Sequence, residues 1–129
     1  MPKAMLIVDD DSSARLAYRT VFKARGFEVK EARNGKEGLE MLKKDPVDIL
    51  FLDLSMPVMQ GEELMEIMAN DEKLKKIPVI VETALGSPGP GRERKAQERF
   101  GGRLKLECFT RPGRPEDIMS AVDRLMKLE

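Results

Sequence analysis

Five times along the chain a strand-like run is followed by a stretch whose apolar residues recur at helical spacing. This alternation constrains the fold more than any single residue does. Strands separated by helices are joined by crossovers, which gives a parallel sheet with helices on both faces. The strand runs are Ala4–Val8, Phe27–Ala32, Val47–Asp53, Pro78–Val81 and Leu104–Phe109. The third is apolar almost throughout, as a strand buried on both faces must be. The second alternates apolar with charged residues and predicts an edge strand with one wet face.

The intervening stretches predict helices. In the first, Ala14, Ala17, Tyr18, Val21 and Phe22 form the inner face, Asp11 or Ser12 can cap it, and Gly26 stops it. After a turn at Asn34-Gly35, a second helix carries Gly38, Leu39 and Leu42 inward, with Met41 at the margin, and ends at Asp45-Pro46. A third begins near Gly61 with Leu64, Met65, Ile67 and Met68 inward or half inward, and leaves through a solvated Lys73-Leu74-Lys75-Lys76. Residues 86–91 are glycine and proline with one serine, and predict a loop. Arg92–Arg99 can form a short helix with a poor apolar face, Ala96 and Phe100 alone. Pro115-Glu116-Asp117 opens the last helix, with Ile118, Met119, Val122, Leu125 and Met126 on one side.

With 129 residues and no internal repeat or linker, the chain is expected to form one domain over 1–129. Lys+Arg and Asp+Glu both number 23, so no net field points to nucleic acid or an anionic membrane. There is no histidine, which excludes His-based triads and zinc-histidine sites. Cys108 is the one cysteine, so no intramolecular disulfide forms; a reduced, cytoplasmic setting and a small buried hydrophobe are the simple readings. No run is long enough for a signal peptide or a membrane span.

In sheets of this kind ligands bind at the carboxyl ends of the strands. Those ends carry Asp9 and Asp10 (first strand), Asp53 (third), Thr83 (fourth), and Thr110 and Arg111 (fifth). Alone, Asp9-Asp10-Asp11 reads as a capped helix start and Asp53 as a strand-end turn former. If the first and third strands are neighbours, three carboxylates converge, and a hard divalent cation such as Mg²⁺ would offset their repulsion. Asp53 could then attack a phosphoryl group held there, with Thr83 and Arg111 on its other oxygens.

The sequence resembles the receiver domain of two-component response regulators. The matching residues are Leu6-Ile7-Val8-Asp9-Asp10-Asp11, Phe51-Leu52-Asp53-Leu54-Ser55-Met56-Pro57 with Gly61, Pro78-Val79-Ile80-Val81 with Thr83-Ala84, and Arg111-Pro112. The resemblance implies a flavodoxin-like, doubly wound five-stranded parallel α/β sheet of order 2-1-3-4-5. It implies Asp53 as phosphoacceptor, Thr83 as the switch hydroxyl, and Arg111 as the cation on the phosphoryl group. Mg²⁺ would be held by Asp10, Asp53 and the Ser55 carbonyl, with Asp9 acting mostly through water. The donor would be a phosphohistidine on a sensor histidine kinase or a histidine phosphotransfer protein, and the phosphorylated state would change binding of a downstream protein partner, with no direct nucleic acid or membrane contact. Whether a homodimer forms stays open. Turnover of an external substrate is not implied.

Three positions depart from the family pattern. Arg111 stands where the family has lysine, and its planar guanidinium is no simple replacement for an ammonium. Cys108 stands where the family usually has an aromatic switch residue, and it is too small to report the state of Thr83. The Gly86–Gly91 segment lengthens the connection after Thr83. The expectation is retained phosphorylation with altered Thr–aromatic coupling. The rival readings are a pseudo-receiver that binds partners regardless of phosphorylation, an aspartyl phosphatase, and a flavodoxin-like cofactor binder. The phosphatase lacks its second aspartate, because that position is Ser55. The cofactor binder lacks a phosphate loop and stacking aromatics.

Overall fold

The computed structural model describes residues 3–54, 61–84, 92–111 and 114–126. Its elements run β1 (Ala4–Val8), α1 (Ser12–Ala24), β2 (Glu28–Ala32), α2 (Gly35–Lys44), β3 (Ile49–Asp53), α3 (Gly61–Ala69), β4 (Val79–Ala84), α4 (Arg92–Phe100), β5 (Leu106–Arg111) and α5 (Pro115–Met126), with a 3-10 turn at Leu74–Lys76. All strand pairings are parallel, and the order is β2-β1-β3-β4-β5. The doubly wound 2-1-3-4-5 sheet is therefore observed.

The central strands are apolar on both faces because each face has its own core. Leu6, Val8, Leu50, Leu52, Val79 and Val81 pack against α2, α3 and α4 through Leu42, Leu64, Met65, Met68, Ala96 and Phe100. Met5, Ile7, Ile49, Phe51 and Ile80 pack against α1 and α5 through Phe22, Ile118, Met119 and Val122. Successive side chains of a strand point to opposite faces, so each buried strand feeds both cores. The edge strand β2 carries Glu28, Lys30 and Glu31, and charge on an edge discourages pairing with another chain.

Local chemistry sets the helix ends. Asp11 caps α1 by accepting from the Ser13 N–H at 2.9 Å. At the other end Gly26 adopts φ 93°, in the left-handed region. The Gly26 N–H donates to Lys23 and the Phe27 N–H to Phe22, the paired bonds that close a helix at glycine. Asn34-Gly35 is not a free-standing turn: the Asn34 side chain accepts from the Glu37 N–H and starts α2.

Several sequence expectations shift. Ala17 is exposed, while Arg15 and Arg19 on α1 are half-buried because both pair with Glu31 of β2. Ile67, expected inward or half inward, is 43% exposed. Leu64, Met65 and Met68 already fill the inner stripe of α3, and Ile67 is left on the rim of a groove with Lys36 and Leu39 of α2. Cys108 is half-buried rather than fully buried: it packs on the core from β5 with its Sγ 3.8 Å from Gln97 Oε1. The fourth helix forms despite its thin apolar face, because Phe100 and Ala96 are deeply buried and Arg99 and Arg103 both lie over the Phe100 ring. The Gly86–Gly91 loop expected from the sequence lies outside the described residues.

Arg103 and Arg99 also grip Glu66 of α3, at 2.6 and 3.1 Å. Arg103 first, then Arg99, hold the Glu66 carboxyl below the usual carboxylate range. A depressed folded pKa gives stability that is present above the unfolded value and is lost as pH falls through the folded one. A carboxyl-carbon NMR titration should therefore place the Glu66 midpoint below that of a free glutamate, and Arg103→Gln should raise it.

Gly61 opens α3 where the helix meets the residue after Asp53. A Cβ there would stand 2.5 Å from Leu54 Cδ2, and Leu54 is fully buried. Gly61→Ala is expected to cost about 1–2 kcal/mol through overpacking. A urea midpoint equal to that of the parent protein would show that Leu54 yields freely.

Candidate functional site

The carboxyl ends of β1, β3 and β4 meet at one end of the sheet. Asp9 is the first residue beyond β1. Its N–H donates to the Ala32 carbonyl of β2 at 3.1 Å, and its Oδ1 accepts from the Asp11 N–H at 2.9 Å. Arg15 of α1 donates to the Asp9 carbonyl at 2.7 Å, which braces the turn. Three consecutive acids thus stand in three environments. Asp9 is buried, Asp10 is exposed, and Asp11 is the helix cap.

Asp53 is the last residue of β3 and is 1% exposed. One carboxylate oxygen from each of Asp9, Asp10 and Asp53 lies within 4.8 Å of the others. Two buried carboxylates and a third at the mouth repel one another, and the donor set is entirely hard oxygen. That combination suits a divalent cation such as Mg²⁺, which favours carboxylate, carbonyl and water oxygens.

Thr83 is 1% exposed on β4, one residue beyond Glu82, the cross-strand partner of Asp53. On β5 its partner is Thr110, and Arg111 follows opposite Ala84 as the last strand residue. The backbone thus brings Thr83 and Arg111 to the same end of the sheet as the three aspartates. Ser55, and the side chain of Arg111, lie outside the described residues.

Sequence reasoning passed over one pair. Glu82 is 0% exposed, and the Tyr18 hydroxyl of α1 lies 2.6 Å from both of its carboxylate oxygens. The signal was present as an acid interrupting the apolar run Val79-Ile80-Val81 just before Thr83.

A family profile described as the response regulator receiver domain matches residues 5–95. The chain belongs to the response regulator receiver domain family. Among its relatives, the polar-differentiation response regulator DivK of Brucella anthropi is 33% identical over 89 residues, 69% of this chain and 72% of that protein. The chemotaxis response regulator CheY4 of Vibrio cholerae superposes with a TM-score of 0.78 at 28% identity, covering 97% of this chain and 99% of that one. The signal receiver domain of a signal transduction histidine kinase from Syntrophus aciditrophicus gives 0.80 at 26% identity, covering 97% and 90%. The chain is thus similar both to response regulators and to the receiver domain of a histidine kinase. Among the described residues no helix is long and apolar enough to cross a membrane.

Proposed function

We infer that this receiver, a single domain over 1–129, is a phosphoacceptor in a cytoplasmic phosphorelay, with Asp53 as the acceptor. The supporting observation is the convergence of Asp9, Asp10 and Asp53 within 4.8 Å around two buried carboxylates. An Asp53 carboxylate oxygen attacks the phosphorus of a partner phosphohistidine. The new O–P bond makes an acyl phosphate, the N–P bond breaks, and the imidazole leaves with that electron pair and takes up a proton. The partner is a sensor histidine kinase or a histidine phosphotransfer protein, and the phosphorylated receiver binds a downstream protein differently.

Phosphoryl transfer asks little covalent help of a protein; positioning and charge neutralisation carry it. Asp10, Asp53 and the Ser55 carbonyl would hold Mg²⁺, with Asp9 acting through water. When bound, the ion neutralises the carboxylates and the incoming phosphoryl oxygens. Thr83 donates its hydroxyl to one phosphoryl oxygen and Arg111 its guanidinium to another. The same site permits hydrolysis of the acyl phosphate, with no external substrate turned over.

The pseudo-receiver alternative draws on Cys108 and Arg111, the departures from the family pattern. Intact mass after incubation with acetyl phosphate and Mg²⁺ separates the two. The expected result is one added phosphoryl group per chain, lost when the metal is chelated. An unchanged mass under saturating donor would favour the phosphorylation-independent module.

A further inference from the structure

We propose that Tyr18 and Glu82 form a positioning pair that carries the phosphorylation state of Asp53 to α1, in place of the Thr–aromatic coupling that Cys108 cannot supply. This rests on Asp53 being the acceptor. A carboxylate sequestered from water is costly unless it is hydrogen-bonded, and an apolar residue would fill the same space at no such cost. Glu82 nevertheless sits within β4 at 0% exposure, directly after the apolar run Val79-Ile80-Val81. Its partner on α1 is Tyr18, whose hydroxyl is shared between the two oxygens at 2.6 Å. Bonds of that length to an ionised acceptor are among the stronger kind.

Both members of the pair touch the acceptor strand or its neighbour. Glu82 is the cross-strand partner of Asp53, its carbonyl accepts from the Leu54 N–H at 2.9 Å, and Thr83 is the next residue. The Tyr18 ring lies against Phe51, two residues before Asp53, with centroids 4.5 Å apart. Phosphorylation takes the Asp53 side chain from one negative charge to roughly two beside Glu82, and like charges in a poorly solvated setting repel. Thr83, drawn toward the phosphoryl group, pulls the same stretch of backbone. Because alternate strand residues face opposite ways, a shift at Thr83 moves Glu82 on the other face. Tyr18 is half-buried, so it can register that shift at the surface of α1.

Tyr18 is the only tyrosine and the chain has no tryptophan, so intrinsic emission reads this one side chain. Phenol emission depends on the hydrogen-bond acceptor, and a carboxylate quenches it. The test adds beryllofluoride and Mg²⁺ to the intact protein, with occupancy of the site followed by fluorine NMR. Occupancy is expected to change Tyr18 emission, and Glu82→Leu to reduce that change by roughly half or more while beryllofluoride still binds. In Tyr18→Phe, activation-induced amide shifts should persist near Asp53 and collapse along α1, with acetyl phosphate labelling unchanged. Occupancy without an emission change, or a full change in Glu82→Leu, overturns the proposal alone. Failure of both beryllofluoride and acetyl phosphate to modify the site overturns the acceptor reading and the proposal with it.

Discussion

Asp53→Asn is expected to abolish labelling by acetyl phosphate and to make the metal-free protein more stable. Labelling is lost because the amide oxygen is a poor nucleophile and the neighbouring acids cannot take its place: Asp9 is tied to the Asp11 N–H and Asp10 lies at the mouth. The stability gain follows from charge. Two carboxylates no more than 4.8 Å apart repel by at least about 3.5 kcal/mol at an effective dielectric of 20. Burial of Asp9 and Asp53 adds a desolvation cost to each. Removing one charge should therefore stabilise the fold by ~1–3 kcal/mol in urea titrations with chelator present. Adding Mg²⁺ should stabilise the parent protein, by about 2.7 kcal/mol at a hundred times its dissociation constant, and Asp53→Asn much less. A parent protein whose urea midpoint ignores Mg²⁺ would show that the three aspartates do not form a metal site.

Much of this site can be read from the sequence because its residues stand at strand ends. Val8 and Leu52 end apolar runs, so Asp9 and Asp53 had to lie at the edge of the core. A parallel sheet then puts both at the same end. The register that makes Asp53 the partner of Glu82, and Thr83 that of Thr110, could not be read so directly. Neither could burial of the helices, which depends on what lies opposite. Arg15 and Arg19 are drawn partly inward by Glu31 on a strand that follows them in sequence. Ile67 is left outside because other residues had already filled its side of the sheet. The Tyr18–Glu82 contact joins residues 64 positions apart, and no local pattern encodes such a pair. The fold is set by periodic, short-range signals, whereas polar pairings across the core depend on three-dimensional register.

The largest expected loss of stability comes from Phe51→Ala. Phe51 is fully buried at the centre of β3, between Ile7 of β1 and Ile80 of β4. Its ring is 4.5 Å from Tyr18 and 5.8 Å from Phe22, so it is the floor on which α1 rests. Truncation removes most of a phenyl group from a site whose walls are strands held by backbone bonds, so the cavity cannot close. Such changes cost ~3–5 kcal/mol, a large share of the 5–15 kcal/mol by which domains are usually stable. The melting temperature should fall by roughly 10–20 °C. Phe51→Leu, which leaves a smaller void, should cost distinctly less. Leu16→Ala provides the control: Leu16 sits on the outer side of α1 at 53% exposure and should change stability by no more than about 0.5 kcal/mol. Equal melting temperatures for Phe51→Ala and Leu16→Ala would mean that α1 is held mainly by its polar ties, Arg15 and Arg19 to Glu31 and Tyr18 to Glu82, and not by the aromatic cluster.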